Sequence, residues 1–217
     1  MARNILLLGI AMALSASSAG ASSIALNGGF STGDLTDWST SNCVGAVCGS
    51  WTDVYLPTLQ PDPGQPASGN TYAARTACIG AACNSSTSGD MLTQQLATTA
   101  LQTYTLSFYY NAGGHSNSDP GQTTELDVLW NGGLVTNGQL VDETAQTWQE
   151  YSFTVTATGP STVLEFTGRD DGDYIYLTDI SVTPLADPPA PEPASMALIG
   201  GGLLSMAGAV LGRRRKA

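Results

Sequence analysis

Residues 103–110 read Thr-Tyr-Thr-Leu-Ser-Phe-Tyr-Tyr. Tyr104, Leu106, Phe108 and Tyr110 share one parity, and Thr105 and Ser107 hold the other. A repeat of two is that of a strand with one face buried and one face wet. The pattern recurs along the chain. Leu126, Val128 and Trp130 alternate with Glu125 and Asp127; Tyr151, Phe153 and Val155 alternate with Ser152 and Thr154; Leu164 and Phe166 flank Glu165. Tyr174, Tyr176, Ile180 and Val182 fall on one parity of a last strand. These runs are short, rich in Thr, Tyr, Val and Phe, and separated by Gly, Asn, Asp and Pro. No apolar stripe at i, i+3, i+4 persists outside the two termini. The expectation is an all-β, antiparallel β-sandwich between Ile24 and Leu185, a span long enough for a two-sheet core.

Composition agrees. The 217 residues include 25 Gly and 11 Pro but only 12% charged side chains, which disfavours a charged helical bundle. All 18 acidic residues lie between Asp34 and Glu192, where only Arg75 and Arg169 oppose them, a net −16. Such a surface repels nucleic acid, anionic lipid and acidic polysaccharide, and suits neutral glycans, divalent cations or a solvated matrix. The single histidine, His115, stands in the polar loop 113–120 without a G-x-S-x-G partner, so His-dependent catalysis is not expected.

Both ends are apolar. Arg3, the run Ile5–Leu14 and Ala19-Gly20-Ala21 read as a signal peptide over 1–21, cleaved after Ala21 and implying export through the Sec machinery. Near the other end, residues 194–211 carry no charge and reach roughly 27 Å as a helix, enough to cross a bilayer core. We take 194–212 as a single C-terminal transmembrane helix. The tail 213–217, with Arg213, Arg214, Arg215 and Lys216, should stay cytoplasmic. A Pro-rich linker, 186–193, precedes the helix and ends in Pro191-Glu192-Pro193, which its prolines hold extended. The domain between, 22–185, then lies outside the cell.

The order Pro-Glu-Pro, short small-residue helix, terminal Arg cluster resembles the PEP-CTERM sorting signal of Gram-negative bacteria. The resemblance implies recognition of Pro191, Glu192, Pro193 and the Arg213–Arg215 cluster by an exosortase, a membrane cysteine protease. It also implies removal of the tail and delivery to the cell surface or the exopolysaccharide matrix, as of a biofilm. A simple stop-transfer anchor on a Pro-rich stalk is the plainer alternative.

Four cysteines fall in two matching words, Cys43-Val-Gly-Ala-Val-Cys48 and Cys78-Ile-Gly-Ala-Ala-Cys83. In an exported chain an even count reads as disulfides, of which three connectivities are open. Cys43–Cys48 with Cys78–Cys83 is favoured because each pair closes its own short loop. The spacing does not fit a zinc site.

The opening Asn27-Gly28-Gly29-Phe30, then Gly33-Asp34-Leu35-Thr36-Asp37-Trp38, with 102–108, 148–151 and the closing Tyr176-Leu177-Thr178-Asp179-Ile180-Ser181-Val182, resembles carbohydrate-binding-module-like, or galactose-binding-like, jelly rolls. That resemblance implies a jelly-roll sandwich, a non-enzymatic glycan-binding role toward extracellular polysaccharide, and a structural Ca2+ joining the first and last strands. Here the Ca2+ would be held by Asp179 and carbonyls near Asn27 and Gly28. Ser31 and Thr178 stand where the family carries carboxylates, which thins the set.

Sugar binding needs aromatic planes beside hydrogen-bonding carboxylates or amides. Trp51, Tyr55 and Tyr174 are the aromatics expected at the surface, and Trp38 and Trp148 are expected in the core. Asp170, Asp171 and Asp173 form the densest charge cluster, whose plainer reading is a solvated turn. A glycoside hydrolase would need two positioned carboxylates. Glu125, Glu143, Glu150 and Glu165 are available, but their strand alternation reads as solvent-facing. A purely structural or adhesive matrix component is the remaining alternative.

Overall fold

A computed structural model describes residues 21–41, 50–56, 65–77, 89–113, 124–141, 147–170 and 174–186. These residues form two five-stranded antiparallel sheets packed as a sandwich. The first sheet orders β1 (Ser39–Ser41), β4 (Asp90–Ala97), β9 (Ser161–Asp170), β6 (Thr124–Trp130) and β7 (Gly133–Val141). The second orders β2 (Thr52–Tyr55), β3 (Tyr72–Thr76), β10 (Ile175–Pro184), β5 (Thr103–Asn111) and β8 (Gln149–Thr156). Only β2–β3 and β6–β7 are sequence neighbours within one sheet. Every other consecutive pair crosses between sheets, the winding of a jelly roll.

The alternation of β5 works as read. Tyr104, Leu106, Phe108 and Tyr110 are buried, and Phe108 meets Phe166 of the facing sheet edge-on at 5.2 Å between ring centres. Leu92, Leu96, Leu126, Val128 and Leu164 fill the first sheet's inner face, and Ala74, Ile175, Leu177 and Val182 the second's. Trp38, expected in the core, is buried against Phe30 and Phe166.

The last strand departs from its expected parity. A bulge interrupts the β10–β5 ladder between Thr178 and Ser181, with Asp179 at φ 53°. An extra residue moves every later side chain to the opposite face. Ile175 and Leu177 therefore point inward before the bulge, and Ile180 and Val182 after it. Tyr176 joins a second, smaller cluster with Val54, Leu56 and Ala73, against which Trp148 packs.

The opening segment straps the sandwich. Ile24 N–H donates to Val182 O on the second sheet at 2.8 Å. Leu26 N–H donates to Gln94 Oε1 on the first at 2.9 Å, and Gln94 Nε2 returns a bond to Leu26 O at 2.8 Å. Gly28 passes so close to β10 that an added Cβ would lie 1.9 Å from Ile180 O. Only glycine fits there, which accounts for the Asn-Gly-Gly-Phe opening.

The signal peptide, the four cysteines, His115, Glu143, Asp171, Asp173, the Pro191-Glu192-Pro193 motif, the transmembrane helix and the Arg213–Arg215 cluster lie outside the described residues, apart from Ala21. Among the described residues no helix is long and apolar enough to cross a membrane.

Candidate functional site

The outer face of the first sheet carries the densest set of hydrogen-bonding side chains. On β6, Glu125, Asp127 and Leu129 alternate with the core residues Leu126 and Val128 and so share this outer face. Register sets their neighbours: Glu125 is opposite Arg169 of β9 and Val141 of β7; Asp127 is opposite Thr167 and Gln139; Leu129 is opposite Glu165. Adjacent strands are about 4.8 Å apart, so these side chains form contiguous rows.

The expectation that Glu125 faces solvent is not met. Glu125 and Asp127 are both buried, because β6 is flanked on both sides by long polar side chains. Arg169 Nε donates to Glu125 Oε2 at 2.9 Å, and Gln139 Nε2 donates to Glu125 Oε1 at 2.8 Å. Both oxygens of Glu125 are thus engaged. Asp127 is left differently. It is 8% exposed, yet its Oδ1 has no hydrogen-bond partner. Burial, then the Glu125 charge, pushes its carboxyl up to about 6, against the opposing pull of Gln139 and Arg169. An acceptor stripped of water and given no donor costs about 1–3 kcal/mol.

The face continues toward β1 into a cavity of about 420 Å³ lined by Leu26, Asp37, Ser39, Thr93, Gln95 and Val163, with Gln94 beneath. Thr93 is opposite Glu165, whose Oε1 accepts from Thr167 Oγ1 at 3.3 Å. Glu150 is remote from this row: it lies on β8 of the other sheet, where Tyr109 Oη donates to it at 3.3 Å. The outer face of the first sheet thus presents a row of hydrogen-bond acceptors.

Of the sugar-binding residues expected from sequence, Trp51, Tyr55, Asp170 and Tyr174 lie within the described residues. Trp51 is not a surface aromatic: it is 2% exposed, and its Nε1 donates to Asp90 O at 2.8 Å. Gly168 makes its seat, since a Cβ there would stand 2.7 Å from Trp51 Cζ2. Asp170 is also buried and points inward from β9, where the Thr124 hydroxyl donates to it at 3.4 Å. Tyr55 is 44% exposed and packs on Tyr72 at an edge of the second sheet. Tyr174 is 39% exposed and lies under the Arg75 guanidinium, 4.5 Å from ring centre to Cζ.

The residues named for Ca2+ are hydrogen-bonded within the protein. Asn27 O accepts from Phe30 N–H at 3.1 Å and from Trp38 Nε1 at 3.3 Å, and Gly28 O accepts from Ile180 N–H at 3.0 Å. Asp179 accepts from Ser68 Oγ and, at 3.1 Å, from Asn70 Nδ2. That amide nitrogen also donates to Gly29 O at 2.7 Å and Thr178 Oγ1 at 2.8 Å. Its orientation is fixed, because Asn70 Oδ1 accepts from Thr71 N–H at 2.8 Å. A donor therefore stands among the converging oxygens. Asn27 Oδ1 is buried and without a donor. Among the described residues no group of three or more Asp, Glu, His or Cys could hold a metal.

The sequence marks Glu125 and Asp127 as outward strand carboxylates but does not disclose their burial, and it does not mark Asn70. The available signal was charge on the outward parity of two strands, Glu125/Asp127 and Glu165/Arg169, whose pairing only the register discloses.

Residues 189–216 match the PEP-CTERM protein-sorting motif. No curated protein sequence matches the chain. Among solved structures, the enzymatically active domain of tailspike protein 4 of bacteriophage CBA120 superposes with a TM-score of 0.50 at 11% identity, over 75% of this chain and 21% of that one. The chain thus spans about a fifth of that domain. A candidate sugar-binding protein from Bacteroides thetaiotaomicron gives 0.50 at 13% identity, over 75% of this chain and 100% of its own. The CBM22-1 xylan-binding domain of Paenibacillus barcinonensis Xyn10C gives 0.47 at 14%, over 79% and 100%. The chain thus carries an antiparallel two-sheet sandwich and a sorting motif.

Proposed function

We propose that this chain is an exported surface or matrix protein whose sandwich binds neutral polysaccharide, without turnover, along the outer face of its first sheet. The observation that carries the reading is Asp127: a buried carboxylate oxygen without a donor, in a row of hydrogen-bonding side chains that runs on toward a cavity. A neutral sugar offers several hydroxyl donors and no charge to oppose the three carboxylates of this face, Glu125, Asp127 and Glu165. The exposed Val163 and Leu134 supply apolar contact for sugar C–H groups. The fold's likeness to a candidate sugar-binding protein supports the class of ligand without identifying it.

Export belongs to the same proposal. The sorting motif at 189–216 supports passage by the Sec route, a membrane intermediate held by 194–212, and exosortase cleavage near Pro191-Glu192-Pro193. In an oxidising compartment the four cysteines close as loop staples. The test is a neutral-glycan array probed with the full-length chain and with Asp127→Ala. Binding that falls about tenfold or more in the variant supports the reading, and binding unchanged by the variant rejects this face.

A further inference from the structure

We propose that Arg75 and Tyr174, on the outer face of the second sheet, form a separate site for the carboxylate of an acidic sugar. The inference does not depend on the neutral-sugar face. Arg75 stands on β3 opposite Tyr176 of β10 and Thr52 of β2. Its guanidinium lies over the Tyr174 ring, Cζ 4.5 Å from the ring centre, and Tyr174 packs on Tyr176 at 6.4 Å, with Trp148 edge-on to Tyr176 at 6.3 Å. Arg75 makes no ion pair or hydrogen bond among the described residues, and its Nε is buried without an acceptor.

That state is unusual in a segment with 18 acidic side chains and two arginines. The other arginine, Arg169, is held by Glu125. A cation partly stripped of water and given no acceptor is costly. With one face of the fork covered by a ring and Nε closed off, the two terminal nitrogens remain as the edge that a planar carboxylate meets in two parallel bonds. The surrounding aromatics fit the C–H face of a sugar better than a peptide chain. The net −16 selects further: a densely charged polyanion is repelled, whereas a sugar with one carboxylate among neutral units is not.

The probe is a trisaccharide with a single terminal galacturonate, set against its all-galactose counterpart and an acidic peptide of equal charge. Calorimetric titration of the full-length chain should give the acidic sugar at least about tenfold tighter binding than either control. Arg75→Gln should abolish the preference and leave the melting temperature within a few degrees. Arg75→Lys, with charge but no fork, should retain only part of it. Equal affinities, no binding, a preference that survives Arg75→Gln, or a peptide that binds as tightly as the sugar would each overturn the proposal. So would a fall of more than about 5 °C in Arg75→Gln, which would make the pair a structural staple.

Discussion

Glu125 takes both of its donors from neighbouring strands, Arg169 at 2.9 Å and Gln139 at 2.8 Å, and Asp127, two residues along the same strand, is left with an oxygen that has no partner among the described residues. The consequence is a raised pKa. The Asp127 carboxyl sits at about 6, well above its unfolded value near 3.8. The folded state therefore binds a proton that the unfolded state releases between those values. The stability this adds is complete below about 3.8 and is lost as pH rises through about 6. The span corresponds to at most about 3 kcal/mol. Thermal unfolding should show higher stability at pH 5 than at pH 7.5. Asp127→Asn should raise the melting temperature at pH 7.5 and flatten that difference. A variant less stable than the parent at pH 7.5 would contradict the assignment.

Gly28 is fixed by contact with the last strand. An alanine Cβ would stand 1.9 Å from Ile180 O, so the opening strap must lift and lose the Ile180–Gly28 bond. Gly28→Ala should destabilise by about 2–4 kcal/mol in denaturant unfolding. Gly132→Ala meets nothing within 4 Å; its cost comes from a φ of 80° alone and should be about 1 kcal/mol.

Trp51 belongs to the core. Trp51→Ala should cost about 3–5 kcal/mol through cavity formation and the lost bond to Asp90 O. Trp51 fluorescence should be shielded from iodide quenching in the single-Trp variant that retains it. Quenching as efficient as in the unfolded chain would place the ring at the surface.

The junction of first turn and last strand is predicted to be a hydrogen-bonded lock that does not need Ca2+. Melting temperature should be the same with millimolar Ca2+ and with chelator. Asp179→Ala should lower it equally in both, by about 1–3 kcal/mol of stability, because Ser68 and Asn70 lose their acceptor at a positive-φ position. A rise with Ca2+ that disappears in Asp179→Ala would restore the metal.

The sandwich was legible because alternation alone identifies the core faces of β5, β6, β8 and β9. What escaped was set by residues distant in sequence. The bulge at Asp179 reverses the parity of β10, and no local propensity announces it. Glu125 and Asp127 look solvent-facing on their own strand; partners on β7 and β9, 14 and 44 residues away for Glu125, bury them. Trp51 is read as exposed until Gly168, on another strand, opens space for its ring. The proposed binding face is thus a product of register, whereas the sorting motif is contiguous and readable from the chain.

Backbone chemical-shift mapping of the full-length chain with a neutral oligosaccharide taken from the array tests the central claim most directly. The account predicts that the largest shifts fall on Asp127, Gln139, Glu165 and Thr167, and that they shrink in Asp127→Ala. Shifts confined to the second sheet, or none with any neutral sugar, would contradict it.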